Sequence, residues 1–142
     1  MFDSPAALWL RTSLAYPILE TLHIIGLATL FGSLMIVDLR LLGLLRRLDL
    51  TALARSVLPC TLAGFALAAA TGMTMFYARA GELIANPVFT AKIGLVMLAG
   101  CNAGMLHARG PLREDFTSRC QAGLSVLIWI AVIICGRWIA YI

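Results

Sequence analysis

Charged residues are scarce in this sequence, and their scarcity excludes a water-soluble domain. Asp, Glu, Lys and Arg make up 13% of the 142 residues, hydrophobic residues make up 61%, and the mean hydropathy is +0.94. A chain of this composition cannot cover a folded domain with polar side chains. The sequence therefore predicts an integral membrane protein, and its length leaves room for four spans of about 20 residues each.

Sequence patterns typical of several other classes of protein are also missing. The four cysteines show no C-x-x-C spacing, so neither a disulfide framework nor a zinc site is predicted. No surface of interleaved basic and aromatic residues exists, so the net charge of +4 predicts no nucleic-acid partner. A cleaved signal peptide is excluded because Glu20 and His23 interrupt the first apolar run.

Four apolar segments predict an all-α, four-helix transmembrane bundle that forms a single domain over residues 1–142. The expected spans are about 14–37, 57–77, 87–107 and 120–142, and residues 1–10 are expected to form an interfacial turn or helix. Asp49 or Thr51 is expected to cap the second span, and Pro87 to begin the third. Asp38 is expected to close the first span at the cytoplasmic face, and Asn102 to form an interhelical hydrogen bond.

Basic residues are distributed unevenly between the two sides of this bundle. The first and third connections carry seven of them: Arg40, Arg46, Arg47, Arg55, Arg109, Arg113 and Arg119. The other side carries four: Arg11, Arg79, Lys92 and Arg137. Because basic residues are enriched on the cytoplasmic side, this distribution predicts that both termini lie outside the cytoplasm.

An acid and a histidine lie inside the first span, at Glu20 and His23. Ionisable groups at such a depth indicate a functional site. Glu20 precedes His23 by three residues on the same helical face, where it can accept the second imidazole proton or pair with Lys92. A di-iron site is disfavoured, because it needs two Glu-x-x-His motifs and further glutamates.

Other polar groups are expected at the same depth as His23. Counting from the outer ends of their spans, His23 lies about 10 Å and Lys92 about 8 Å inside the membrane. Met73 and Arg137 fall in the same outer half, so a site contributed by four helices is predicted. His107 lies about 30 Å along the third span, near the cytoplasmic face, and ranks below His23 as a metal or haem ligand.

A b-type haem is the cofactor that these residue types favour. A histidine nitrogen ligates haem iron, Met or Lys can supply a second axial ligand, and Lys92 and Arg137 can meet the propionates. Structural interpretations stand beside this one. His23 can serve as an interhelical hydrogen-bonding group, Lys92 can extend to the interface, and methionines can fill gaps in a core.

A series of short motifs runs in order along nearly the whole chain. They are Glu20-x-x-His23-x-x-Gly26, Asp38-Leu39-Arg40-Leu41-Leu42-Gly43, Thr71-Gly72 with Met75-Phe76, Asn86-Pro87-x-Phe89-x-x-Lys92, and Asn102 with His107. In these motifs the chain resembles a family of small bacterial four-helix membrane proteins of unknown function. That family is distantly similar to the copper-resistance D membrane proteins and to the haem-containing protoporphyrinogen oxidases of bacteria.

The resemblance implies a multi-pass protein of the bacterial inner membrane, and the distribution of basic residues predicts that both termini are periplasmic. The oxidases imply a b-type haem, with His23 and Lys92 at the matching functional positions. The leading hypothesis is therefore a haem b protein with an electron-transfer or redox role and a quinone or porphyrin partner. The alternatives are a copper-handling or transport protein and a structural membrane subunit without a cofactor. Close-packing strips such as Gly100-x-x-x-Gly104 favour a homo-oligomer within the membrane lipid.

Overall fold

The structure, a computed structural model, describes residues 4–142, and over that range the chain forms five α-helices and no β-strand. The helices are α1 (Pro5–Thr12), α2 (Ala15–Leu41), α3 (Leu50–Ile84), α4 (Pro87–Ala108) and α5 (Phe116–Trp138). Residues 1–3 of the expected N-terminal interfacial segment lie outside the described range. Helices α2 to α5 are each long and apolar enough to cross a membrane, which confirms the predicted all-α arrangement of four candidate spans.

Capping side chains determine where the later helices begin. Asp49 accepts a hydrogen bond from the Ala52 amide at 2.8 Å, and Asn86 caps α4 directly before Pro87. Asp115 caps α5, and hydrogen bonds from Arg109 and Ser118 hold the pKa of this carboxyl well below its usual range. The Asp115 cap therefore stays ionised at neutral pH, and its contribution is lost as pH falls through that lowered pKa.

Helix α3 is longer than the span predicted for it. The sequence placed the second span at about 57–77, whereas α3 runs from Leu50 to Ile84 and includes a break in helical geometry at Arg79, where φ is −132° and ψ is 30°. Hydropathy detects only the apolar part of a helix, but capping at Asp49 and packing of α1 extend α3 on both sides. The second span is therefore part of a 35-residue helix.

The four long helices pack in the order α3, α2, α5, α4. The closest pairs are α2 with α3 and α4 with α5, and α2 joins the two pairs through its contact with α5. Helices α3 and α4 make few contacts, although only Ala85 and Asn86 connect them. The bundle thus consists of two helix pairs, and its loosest side lies between α3 and α4.

Two glycines allow the backbones of α2 and α3 to touch. A Cβ atom on Gly26 would lie 2.7 Å from the Ala68 amide nitrogen, and one on Gly64 would lie 2.6 Å from the Leu30 nitrogen. Small residues support such close approach of membrane helices. The inward small residues of α3 therefore accommodate a neighbouring backbone.

Adding one methyl group at this contact should loosen the pair. We expect Gly26→Ala to destabilise the protein by about 1–3 kcal/mol, because the added carbon meets rigid backbone rather than a movable side chain. The measurement is reversible unfolding in mixed micelles by titration with dodecyl sulfate. Gly32→Ala, with no atom within 4 Å of its added carbon, is the matched control on the same helix. Equal stability of the two variants would contradict the proposed contact.

Candidate functional site

His23 lies on α2 with its imidazole held against α3. Its Nδ1 is 2.8 Å from the carbonyl oxygen of Ala68 and 3.1 Å from the hydroxyl oxygen of Thr71. Because a carbonyl oxygen only accepts hydrogen bonds, Nδ1 must carry the proton and donate it. In the neutral ring, Nε2 then keeps its lone pair, which is the arrangement that metal-ligating histidines adopt.

The neighbouring residues of α3 fix the position of this ring. Thr71 is buried and donates its own hydroxyl hydrogen to the Leu67 carbonyl at 2.7 Å, so its oxygen is oriented to accept from His23. Gly72 provides the space, since a Cβ atom there would lie 3.1 Å from Cε1 of His23. One orientation of the imidazole is therefore fixed by the carbonyl of Ala68, the hydroxyl of Thr71 and the absence of a side chain at Gly72.

Lys92 approaches the same level of the bundle from α4. Its half-buried side chain lies against α5, where Nζ would be 3.3 Å from a Cβ atom on Gly136. Lys92 is also close enough to His23 for the two groups to interact electrostatically. The structure therefore brings a histidine from α2 and a lysine from α4 together, with α3 and α5 holding them in place.

Glu20 takes neither of the two positions expected for it. Its side chain is exposed, and within residues 4–142 no hydrogen bond or ion pair joins it to His23 or Lys92. The backbone of Ala68 accepts the imidazole proton instead. The three-residue spacing correctly places Glu20 near His23 along α2, but α3 provides the hydrogen-bonding partner.

The remaining candidates lie at the surface, away from the groups that hold His23 and Lys92. Met73 has 68% of its surface exposed, and Arg137 is exposed, donating a hydrogen bond to the Tyr141 hydroxyl and stacking over its ring. His107 is exposed in the last turn of α4, where its Nδ1 is 2.9 Å from the Ala103 carbonyl oxygen. At about 1.5 Å per residue it lies about 22 Å along α4 from Lys92.

Two features of this site were not identified from the sequence. The hydrogen-bond acceptor on Ala68 is a backbone group, which no residue pattern reports, and Gly136 is one of 12 glycines in the chain. Asp38 and Arg40 lie in the last turn of α2, which ends at Leu41, close to where they were expected to close the first span, but Asp38 is only 4% exposed, and its burial was not predicted. Asn102 forms the expected interhelical hydrogen bond, donating to the Gln121 carbonyl at 3.0 Å.

The space and ligands around the site limit what it can bind. No group of three or more His, Cys, Asp or Glu side chains suited to a metal ion occurs among the described residues. A small cavity next to Leu106 and Ser118 lies at the opposite end of the bundle from His23. The least tightly packed side of the bundle lies between α3 and α4.

Fold and site together support a multi-pass helical membrane protein with a histidine and a lysine at one level. Comparison of the chain with protein-family models, with curated proteins and with solved structures gives no match. The functional argument therefore depends on the residues and their geometry.

The protonation of His23 can be measured directly. We expect its neutral ring to carry hydrogen on Nδ1, because the Ala68 carbonyl accepts from that atom. Two-bond ¹H–¹⁵N correlation spectra of histidine-labelled protein in micelles distinguish the two tautomers, and a His107→Gln variant assigns the signals. Hydrogen on Nε2 with a bare Nδ1 would refute this orientation.

Proposed function

We propose that this chain is a b-type haem protein of the bacterial inner membrane, with His23 as an axial ligand and an electron-transfer or redox role. The hydrogen bond from Nδ1 of His23 to the Ala68 carbonyl supports this proposal, because it orients the ring and leaves Nε2 free to donate its lone pair. A histidine that served only as a surface group would not need such an arrangement.

The donor atoms at the site fit a haem better than a small metal ion. One neutral imidazole suffices for haem iron, and a lysine amine at the same level can become the second ligand or pair with a propionate. A bare metal ion would need additional ligating side chains near His23. Of the six residues expected to contact the cofactor, we retain His23 and Lys92, since Glu20, Met73, His107 and Arg137 are exposed.

The loose side of the bundle provides the surroundings that a porphyrin prefers. Phe65 precedes Phe76 by 11 residues on α3 and Ile93 follows Phe89 by four on α4, so these apolar side chains share the helix faces on which Phe76 and Phe89 meet. Phe65 is 47% and Ile93 is 46% exposed. Stacking of Phe76 on Phe89, with ring centroids 5.5 Å apart, joins the two helices where the chain turns. Apolar side chains around the iron exclude water and influence its reduction potential.

Haem would supply a one-electron couple, and the chain would supply its orientation and electrostatics. With both termini periplasmic, His23 and Lys92 lie in the outer half of the bilayer. A membrane-soluble quinone or a porphyrin is the redox partner suited to that depth.

The same hydrogen bonds favour a second candidate function, that of a structural membrane subunit. His23 joins α2 to α3 through Ala68 and Thr71, as polar groups between membrane helices do. In that case the protein would be colourless, and loss of the imidazole would weaken helix packing without any spectral change.

Removing the imidazole should remove the cofactor. We expect His23→Ala to lower haem content more than about tenfold, because the iron loses its protein ligand. The measurement is a pyridine haemochrome assay on protein purified in mild detergent, together with oxidised and reduced visible spectra. His107→Ala is the control and should keep most of the haem. Full haem in the His23 variant, or a colourless wild-type protein after expression with haem precursor, would overturn the proposal.

Lys92 can be tested separately from His23. We expect Lys92→Met, which keeps the apolar stem and removes the amine, to change the spin state of the iron or to weaken haem retention. Electron paramagnetic resonance reports the spin state, and haem transfer to apomyoglobin reports retention. An unchanged spectrum with unchanged retention would leave Lys92 as a packing residue beside Gly136.

A further inference from the structure

A layer of polar side chains crosses the bundle between two apolar core clusters. The cluster nearer to His23 along α2 contains Leu30, Ala99, Ile128, Trp129 and Val132. The cluster at the end of α2 contains Leu41, Leu50, Leu106 and Ala122. Between these clusters along their helices lie Asp38 of α2, Asn102 of α4 and Ser125 of α5. The layer is distinct from the level of His23, since Asp38 follows His23 by 15 residues on α2.

The members of this layer are connected through α5. Asn102 donates its amide hydrogen to the backbone carbonyl of Gln121 at 3.0 Å, and the Ser125 hydroxyl interacts with the Asp38 carboxylate. Gln121 and Ser125 are one turn apart, so their side chains lie on the same face of α5. Three helices therefore contribute to a single polar position.

Three buried oxygen atoms in or next to this layer lack donors. Asp38 is 4% and Asn102 is 3% exposed, and among the described residues no hydrogen-bond donor reaches Asp38 Oδ2, Asn102 Oδ1 or Gln121 Oε1. Because buried oxygens of native proteins are almost always paired, these three atoms point to a partner such as a bound ion or water.

The nearest arginine along α2 does not neutralise Asp38. Arg40 donates to the Leu48 carbonyl at 2.6 Å and forms its ion pair with Glu114, both in the connections at the end of the bundle. An ionised Asp38 carboxylate would thus have no ion-pair partner in residues 4–142. A carboxylate in such surroundings either takes up a proton or pairs with a cation.

We propose that this polar layer binds one sodium ion, coordinated by the side-chain oxygens of Asp38, Asn102, Gln121 and Ser125. All four ligands are oxygen atoms, which hard cations prefer over nitrogen or sulfur. The single carboxylate balances a monovalent ion, whereas a divalent ion would leave a buried positive charge. Carbonyl oxygens between membrane helices likewise coordinate Na⁺ in secondary transporters. The inference does not depend on haem binding at His23.

Sodium should stabilise the folded protein in a saturable way. We expect Tm in micelles to rise by ~5 °C in sodium chloride relative to choline chloride at equal ionic strength, because the ion binds only the folded state. Equilibrium binding of radiolabelled Na⁺ should approach one ion per chain. Asp38→Asn should weaken this binding at least about tenfold, since it removes the only charged ligand.

Matched variants separate the site from general effects of charge. Asp49→Asn removes an exposed carboxylate and keeps a capping side chain, so it should bind sodium like the wild type. If Asp38→Asn does not fold, Ser125→Ala and the wild-type salt comparison still test the site. Equal Tm and no Na⁺ binding in the wild type would overturn the proposal, as would a protein whose stability responds to pH alone, which would make a proton the occupant.

Discussion

The backbone contact between α2 and α3 at Gly26 and Gly64 is the constraint on which the rest of the molecule depends. It sets the distance and register of the two helices, and His23 lies less than one turn from Gly26. Only at this separation can the imidazole reach a main-chain carbonyl on α3. If the two helices were farther apart, Nδ1 of His23 would lose its hydrogen bond to Ala68, and the orientation of the imidazole would no longer be fixed.

Polar groups inside the bilayer must find partners within the protein, and this chain has two such levels. At the level of His23 the hydrogen bonds of the imidazole are made by groups of α3, and only Nε2 is left for a ligand. At the level of Asp38 the protein provides acceptors in excess of donors. The first level therefore suits a ligand that accepts an electron pair from nitrogen, and the second suits a ligand that brings positive charge.

The number, order and approximate position of the spans could be predicted because hydropathy depends only on composition along the chain. The faces of the helices could not, since lipid-facing and buried positions of a membrane helix are equally apolar and leave no amphipathic pattern. Depth counting therefore put His23 and Lys92 at one level, but it could not show that Met73 points outward. Asp38 was expected near the end of its helix, where it lies, but its burial was not predicted, because hydropathy does not show which face of the last turn packs inside the bundle.

The weak contact between α3 and α4 divides the molecule into a first part, α1 to α3, and a second part, α4 and α5. Because α1 to α3 precede α4 and α5 in the chain, they are synthesised first. His23 can acquire its hydrogen bonds as soon as α3 has entered the membrane, whereas Lys92 arrives only with the second part. The hydrogen bonds of His23 to Ala68 and Thr71 thus lie within the part of the chain that is made first, and this level of the bundle is complete only when Lys92 arrives.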